Sequence, residues 1–319
     1  MRYLITGGAG FLGSALARRL AGDGHEVRVL DDMSRGRADR LRDVACEVIA
    51  GDVREPEMVT YAMHGCQAVV HMAFCQGTQS FYEEPRKVLD VAVRGMANVL
   101  AACEQTGCGD LLLISSSEAY QVAGQVPTPE TVPLTVPDPL NARYSYGGGK
   151  IISELMAFAW ARTGVLDRAV AARPHNVYGP DMGREHVIPE FCLRVNRLAR
   201  QFPEGIIPFP VQGSGNETRS FCHVDDCTDQ LALLLAKAPA GPSVFHVGNE
   251  DERTITDVAH AVAACYGRVV KVVPGILPKG SPPRRLPDTS RIRALGYPGP
   301  EVGFADGLAR TAEWYRTRA

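Results

Sequence analysis

The sequence predicts an α/β protein in which a doubly wound parallel sheet carries a smaller C-terminal lobe. Three observations predict this fold. Short β-rich runs alternate with longer helical patterns through the first half of the 319 residues, the runs are almost continuously apolar, and a glycine-rich turn follows the first of them. Such alternation is typical of βαβ units, and continuously apolar strands indicate a sheet covered by helices on both faces. The predicted sheet is therefore Rossmann-like.

The elements of the first half follow in a regular order. Strands are predicted at the short apolar runs, and helices where apolar residues recur every three to four positions. Residues 121–143 contain five prolines, so this segment is predicted to be a surface loop. The predicted strands are 2–6, 27–30, 47–50, 68–71 and 111–115, and the predicted helices are 11–22 and 86–106.

The second half has a less regular pattern. Helices are predicted near 187–201, 224–237, 256–266 and 303–316, with proline-rich pieces between some of them. We expect residues 1–174 to form the Rossmann domain and residues 175–319 mainly the substrate-binding lobe. Parts near 220–250 are expected to return to the Rossmann domain.

The composition favours a small-molecule ligand. With 34 basic and 36 acidic residues, the chain has no strong field that would attract nucleic acid or a membrane surface. No apolar run approaches the roughly 20 residues of a membrane span, and no signal-peptide pattern is seen. The nine cysteines are scattered and lack a matching histidine cluster, so we expect reduced thiols, a cytoplasmic location and no metal site.

The glycine-rich turn TGGAGFLG at 6–13 joins the first strand to a helix. Glycine permits a tight turn and close approach of a pyrophosphate to the helix N-terminus, although a glycine turn can also merely reverse the chain. Asp31 and Asp32 end the second strand, where a carboxylate accepts hydrogen bonds from ribose hydroxyls and repels a 2′-phosphate. These residues favour NAD over NADP. Arg35 and Arg37 follow closely and could bind a phosphate, so NADP stays an alternative.

A candidate catalytic pair, Tyr146 and Lys150, has the Y-x-x-x-K spacing that puts both side chains on one helix face. Free tyrosine has a pKa of about 10, so a base acting near neutrality needs a shift worth roughly 4 kcal/mol from nearby positive charge. The same spacing occurs in ordinary helices with solvated side chains. Here the strand 111–115 leads into Ser116 and Glu118 at the sheet edge where α/β folds bind ligands, although hydroxyl runs also cap helices.

Over essentially its whole length, the chain resembles the extended short-chain dehydrogenase/reductase family, in particular the NAD-dependent nucleotide-sugar epimerase/dehydratase group. Several motifs together carry the resemblance. They are TGGAGFLG at 6–13, LDDMSRG at 30–36, GDV at 51–53, VVHMA at 69–73, SSSEAY at 115–120, YGGGK at 146–150, RPHNVYGP at 173–180 and RSFCHVDD at 219–226.

The resemblance implies a role for each of these positions. Ser116 would bond the sugar hydroxyl that Tyr146 deprotonates, and Lys150 would hold the nicotinamide ribose. The implied NAD-binding residues are Gly7, Gly10, Phe11, Leu12, Gly13, Asp31, Asp32, Asp52, Val53, Met72, Ala73, Tyr146 and Lys150. The implied residues for the nucleotide-diphosphate sugar are Ser117, Asn176, Arg219, Arg285 and Asp288.

Three positions depart from the family pattern. Ala92 stands where a polar cofactor-side residue is usual, Gly149 where a serine is usual, and Pro174 where an aromatic is usual. We hypothesise that the three glycines at 147–149 admit close approach of substrate or a partner helix.

The resemblance implies oxidation of a sugar carbon, usually C4, to a ketone, with NAD regenerated in the same turnover. We expect an epimerase. A dehydratase or decarboxylase is the alternative, because Glu118 stands where those branches have a working glutamate, although it could also be a solvated or capping carboxylate. A catalytically silent NAD-binding regulatory protein is a further alternative, but the Tyr146 and Lys150 pair is intact. As in the family, we expect a homodimer through helices near 86–106 and 147–163.

Overall fold

The computed structural model describes residues 1–277 and 280–318, and these residues form an α/β structure. The strands are β1 (Arg2–Thr6), β2 (Glu26–Asp31), β3 (Cys46–Ala50), β4 (Ala68–His71), β5 (Asp110–Ile114), β6 (Arg168–Pro174), β7 (Val177–Tyr178), β8 (Ile207–Pro210), β9 (Thr218–Ser220), β10 (Cys222–His223), β11 (Gly241–Val247), β12 (Glu252–Thr254), β13 (Val270–Val273) and β14 (Arg284–Arg285).

The helices connect and cover these strands. They are α1 (Phe11–Gly22), α2 (Pro56–Met63), α3 (Thr78–Glu83), α4 (Pro85–Thr106), α5 (Tyr144–Arg162), α6 (Val187–Gln201), α7 (Val224–Lys237), α8 (Ile255–Cys265), α9 (Ser290–Ala294) and α10 (Phe304–Thr317), with short 3-10 turns at Ala38–Leu41 and Ser117–Tyr120. None of the helices in the described part of the chain is both long and apolar enough to cross a bilayer.

Within the described residues, the main sheet has seven strands in the order β11-β6-β5-β4-β1-β2-β3. All of its neighbouring strands pair in parallel. The order reverses between β1 and β4, and such a switch point opens a crevice beyond the carboxyl ends of the strands, where ligands bind. The predicted Rossmann-like class is confirmed, and β11, from residues 241–247, completes the sheet.

Alternation along the central strands fills the layers on both faces of the sheet. Ile5 belongs to the core shared with α1 and α7, whereas its neighbour Leu4 belongs to the core shared with α2, α4 and α5. In the same way, Leu112 faces the first core and Leu111 the second. Because successive strand residues point to opposite faces, a continuously apolar strand has both sides buried. Full burial of one such leucine contributes about 1.5–3 kcal/mol to stability.

The second lobe has a core of its own. Helices α6, α8 and α10 pack around the parallel pair β8 and β13, and Phe209 and Val258 are fully buried there. A capping box at Thr254 and Asp257 starts α8. The predicted helices of this half agree with α6, α7, α8 and α10, but the sequence pattern predicted none of its strands, most of which are only two to four residues long and give no periodic pattern.

Candidate active site

The glycine-rich turn is packed so tightly that side chains are excluded. A Cβ on Gly13 would lie 2.4 Å from the carbonyl oxygen of Gly7, and a Cβ on Gly7, whose φ is +72°, would lie 2.8 Å from the Ala73 nitrogen. The turn therefore contacts the segment Met72–Ala73 that follows β4. Helix α1 begins at Phe11 immediately after the turn, so Leu12 lies in its first turn, where free N–H groups favour an anion. This cradle fits a dinucleotide pyrophosphate.

The acidic pair after β2 is divided between two environments. The Asp31 carboxylate is buried and accepts hydrogen bonds from the Ala9 and Met33 nitrogens, both at 2.9 Å. Asp32 is exposed and accepts from the Ser34 nitrogen and hydroxyl. Burial raises the pKa of Asp31, an effect that the two backbone hydrogen bonds oppose. Asp31 is thus the carboxylate held against the glycine turn.

The two arginines after β2 are already paired with protein groups. Arg35 donates to the Gln76 carbonyl oxygen and lies 3.9 Å from Glu185. Arg37 forms ion pairs with Asp39 and Asp181, both at 3.0 Å. These contacts do not leave a free cationic pair for a 2′-phosphate, in agreement with NAD as the cofactor.

Asp52 and Val53, which the family resemblance implies to bind NAD, follow β3. Asp52 forms an ion pair with Arg54 at 2.5 Å, and the hydrogen bond from Arg54 is the main reason that its pKa is lowered. Val53 is buried, and its carbonyl oxygen accepts from Asn98 on α4. A Cβ on Gly95 would lie 2.9 Å from the Val53 side chain, so the glycine allows α4 to approach the sheet.

The predicted catalytic pair is buried at the start of α5. The Tyr146 side chain stacks on Phe81, with ring centroids 4.8 Å apart, and meets the edge of Phe74 at 5.2 Å. The Lys150 ammonium donates to the Ile114 carbonyl oxygen at 2.6 Å and lies 3.6 Å from the centre of the Phe74 ring. Sequence reasoning missed both phenylalanines, because they follow β4 and reach the pair only through the fold.

The pKa values of the pair reflect a dry environment. Burial raises the pKa of Tyr146 above its ordinary value, and the Ser116 side chain opposes that rise. Burial lowers the pKa of Lys150 to about 7, and Glu154 opposes that fall. Without ligands, both side chains are therefore biased towards their neutral forms, and ionisation of the phenol requires further positive charge at the site.

The hydroxyl run at the end of β5 serves structure as well as the site. The Ser116 hydroxyl accepts a hydrogen bond from the Glu118 nitrogen at 3.1 Å and so caps the turn Ser117–Tyr120. It is also the hydroxyl that acts on the pKa of Tyr146. Ser117, predicted to contact substrate, is 4% exposed.

The three glycines at the start of α5 have a different explanation from the hypothesis above. A Cβ on Gly147 would lie 2.4 Å from the Gln121 side chain, and one on Gly149 would lie 2.9 Å from the Ala92 Cβ. Gly148 has room, since its Cβ would meet only Val136 at 3.6 Å. Gly147 and Gly149 therefore admit neighbouring parts of the same chain, whereas these neighbours do not require a glycine at position 148.

Glu118 faces the second lobe and forms an ion pair with Arg285 at 2.7 Å. Burial alone would raise the pKa of Glu118, but attraction by Arg285, followed by Arg143 and Arg219, lowers it below its ordinary value. The carboxylate is thus held in its charged form among arginines. Arg143 was not singled out from the sequence, since a lone arginine in a proline-rich loop gives no signal.

The remaining predicted substrate residues engage backbone groups. Arg219 donates to the carbonyl oxygens of Thr218 and Pro282, and burial lowers its pKa to about 10. Asn176 donates to the Ser220 carbonyl oxygen at 2.8 Å. The Asp288 carboxylate accepts from the Ser290 nitrogen at 2.8 Å, at the start of α9. Arg219 therefore lies with Arg285 near Glu118, whereas the Asp288 carboxylate stabilises a local turn.

Comparison with known proteins identifies the family. The model of the NAD dependent epimerase/dehydratase family matches residues 3–248. A UDP-glucuronic acid decarboxylase of Arabidopsis thaliana is 30% identical over all of this chain and 70% of its own length. A dTDP-glucose 4,6-dehydratase of Streptomyces niveus is 31% identical (99% and 93% covered), and a UDP-glucose 4-epimerase of Mycolicibacterium smegmatis is 30% identical with both chains fully covered.

Solved structures agree with these relatives. A UDP-glucose 4-epimerase of Thermus thermophilus in complex with NAD superposes with a TM-score of 0.85 at 26% identity, with both chains fully covered. The dTDP-glucose 4,6-dehydratase DesIV of Streptomyces venezuelae, solved with NAD bound, has a TM-score of 0.85 at 32% identity, with 99% and 97% covered. This chain belongs to the NAD dependent epimerase/dehydratase family and is an NAD-dependent enzyme of the class that contains nucleotide-sugar epimerases, dehydratases and decarboxylases.

Proposed function

We propose that the chain is a nucleotide-sugar epimerase that oxidises C4 of the sugar transiently and returns hydrogen to the opposite face. The carrying observation is the contrast at the end of β5. Tyr146 and Lys150 lie together in a dry pocket beside Ser116, whereas Glu118 is bound by Arg285. Among the described residues, Tyr146 and Lys150 take part in no ion pair, whereas the extra carboxylate is engaged in one.

The residues of this chain would divide the oxidation among them. The Tyr146 phenolate takes the proton of the C4 hydroxyl, and the Ser116 hydroxyl orients that oxygen. The Lys150 ammonium stabilises the phenolate and bonds the cofactor ribose. Bound NAD would supply the hydride acceptor for the oxidation at C4 and the hydride donor for its reversal. The rings of Phe74 and Phe81 exclude water, which strengthens electrostatic interactions at the site.

The state of Glu118 favours epimerisation over elimination. Dehydration or decarboxylation needs a further proton transfer at a carbon next to the ketone or at a leaving group. A carboxylate whose pKa is held below the ordinary value by arginines is a weak base. Epimerisation needs no such group, because the ketone only has to turn over before hydrogen returns.

The cationic side of the cleft suits a nucleotide diphosphate. Arg219, and Arg285 through the guanidinium N–H groups that do not contact Glu118, would make charge-assisted hydrogen bonds to its phosphate oxygens, with Asn176 beside them. Ser117 and Asp288 belong to the same proposed substrate site. They would act on it indirectly, Ser117 as part of the turn Ser117–Tyr120 and Asp288 by stabilising the start of α9.

A dehydratase or decarboxylase is the second candidate, and one observation favours it. The Glu118 side chain, 29% exposed, lies two residues after Ser116 and contacts the segment that carries Arg285. If Arg285 moves to the substrate diphosphate, Glu118 is released beside the ketone as a stronger base. A catalytically silent NAD-binding protein is not favoured, because the Tyr146 and Lys150 side chains are both present and buried at the start of α5.

The test is incubation of the enzyme with UDP-, GDP-, CDP-, ADP- and dTDP-sugars in D₂O, followed by mass measurement of the products. An epimer of unchanged mass without deuterium supports the proposal. Loss of water or carbon dioxide supports the second candidate and contradicts the first. Deuterium uptake without loss of mass would instead indicate epimerisation at a carbon beside the ketone.

We also propose a homodimer formed through α4 and α5, in a reducing, cytoplasmic environment that suits the nine free cysteines. Apolar side chains are exposed on both helices: Leu89 and Val93 on α4, and Ile152 and Leu155 on α5, with Leu155 58% exposed. Light scattering should give the mass of a dimer, and Leu155→Glu should give monomers. A monomeric native protein would refute this assembly.

A further inference from the structure

A buried carboxylate lies on α5 one helical turn beyond Lys150. Glu154 accepts two hydrogen bonds from the Arg173 guanidinium, at 2.9 and 2.6 Å, and one from the Ser115 hydroxyl at 2.5 Å. The side chains of Glu154 and Arg173 are 3% and 5% exposed. A buried ion pair contributes little net stability compared with a packed apolar pair, so its presence here suggests a second purpose.

Glu154 and Lys150 are tied to the same strand end. Lys150 donates to the carbonyl oxygen of Ile114, and the next residue, Ser115, donates to Glu154. The other titratable groups facing Lys150 among the described residues are Tyr146 on the same helix and His71 at the end of β4. Burial lowers the pKa of His71 to about 3, so it is neutral near pH 7.

We propose that Glu154 is a positioning residue that keeps Lys150 protonated, with Arg173 and Ser115 fixing its carboxylate in place. The proposal rests on the oxidation step of the proposed function and gives Glu154 a role in that step. Burial pulls Lys150 towards its neutral form, and Glu154 is the anion that opposes this. A neutral lysine would no longer stabilise the Tyr146 phenolate.

The hydrogen bonds that hold Glu154 continue through Arg173 towards the segment that bears Arg285. Arg173 donates to the Tyr120 hydroxyl oxygen, and Tyr120 pairs with His246 Nε2 at 2.7 Å. The carbonyl oxygen of Asp288, 3.0 Å from His246 Nδ1, can only accept, so Nδ1 carries the proton and Tyr120 donates to Nε2. The carboxylate is therefore anchored on α5, β6 and the segment that bears Arg285.

The decisive variant is Glu154→Gln, which keeps the shape of the side chain and removes its charge. We expect the alkaline limit of hydride transfer, followed as reduced-cofactor absorbance in a single turnover, to move to lower pH by about one pH unit. Well above both limits this is a loss of about tenfold. In the NAD-bound protein, NMR of lysines labelled at Cε should show the Lys150 signal titrating at a correspondingly lower pH.

A matched control exists at the opposite end of the same two strands. Asp110 at the start of β5 pairs with Arg168 at the start of β6, at 2.5 Å. Like Glu154→Gln, Asp110→Asn breaks an ion pair between a carboxylate and an arginine of β6, and we expect it to leave the pH profile unchanged. Ser115→Ala removes a single hydrogen bond to Glu154 and should shift the profile in the same direction by a smaller amount, so it decides the matter if Glu154→Gln does not fold.

The proposal is overturned if Glu154→Gln or Ser115→Ala lowers the melting temperature while the pH profile and the Lys150 titration stay as in the native protein. That result would make the ion pair purely structural. This result does not depend on whether the enzyme is an epimerase. The NMR titration needs no substrate, and the cofactor is reduced before the step at which the epimerase and dehydratase reactions differ.

Discussion

At the oxidation centre, Tyr146 and Lys150 are enclosed by the rings of Phe81 and Phe74, whereas two residues beyond Ser116 the Glu118 carboxylate is held by Arg285. Burial sets the direction of the pKa shifts of Tyr146 and Lys150, whereas at Glu118 burial is also the largest single cause but the nearby arginines together outweigh it and lower the pKa. The protonation states on the two sides of the cleft thus depend on different physical causes, burial at Tyr146 and Lys150 and positive charge at Glu118. Substitutions and added salt should therefore affect the Tyr146–Lys150 pair differently from the arginines around Glu118.

The largest effect is expected at the buried Tyr146–Lys150 pair. Tyr146→Phe removes the phenol oxygen, and because the nearby Glu118 carboxylate is engaged by Arg285, hydride transfer should fall by about 10²–10⁴-fold. Single-turnover formation of reduced cofactor measures this. Tyr178→Phe is the control, since its buried hydroxyl donates to the Phe304 carbonyl oxygen at 3.4 Å in the core of the second lobe. Equal losses in both variants would contradict the assignment of Tyr146.

The next effect belongs to the arginine side. Arg285→Ala should raise KM for the nucleotide sugar about 10–100-fold, the equivalent of a lost charge-assisted hydrogen bond, and change kcat little. Steady-state kinetics measure it. The neighbouring Arg284 pairs with Glu252 and is 47% exposed, so Arg284→Ala should have little effect. A fall in kcat with unchanged KM would argue against a binding role for Arg285.

Glu118→Gln distinguishes the two candidate reactions. If the enzyme is an epimerase, turnover should change by only a few-fold, because the carboxylate is not needed once the ketone has formed. If Glu118 acts as a base, turnover should fall about 10²–10⁴-fold while reduced cofactor still forms. Product formation and cofactor absorbance are measured in parallel. The second pattern would contradict our reading of the ion pair.

The smallest effect is that of salt. Raising the ionic strength from about 0.15 M to 1 M shortens the screening length from about 8 Å to 3 Å. We expect KM for the nucleotide sugar to rise a few-fold, because the arginine side attracts a charged diphosphate. The single-turnover rate at saturating sugar should stay nearly constant, since the oxidation centre is buried. A salt-dependent rate at saturation would weaken the comparison.

Local spacing made much of the fold and part of the site predictable from the sequence. The glycine turn, Asp31 and the Tyr146–Lys150 pair lie within short segments whose residue types follow from local geometry. Phe74, Arg143 and the Glu154–Arg173 pair could not be found in this way, because their partners come from other parts of the chain. The glycines 147–149 suggested close approach of substrate or a partner helix, whereas the close neighbours of Gly147 and Gly149 are Gln121 and Ala92 of the same chain.

The central claim is that hydrogen leaves C4 and returns to the same carbon on the other face. The most direct test uses a nucleotide sugar that the enzyme accepts, carrying deuterium at C4, in ordinary water. Our account predicts a product of unchanged mass that retains the deuterium at C4 with inverted configuration. Deuterium found at another carbon, or a product that has lost water or carbon dioxide, would contradict it.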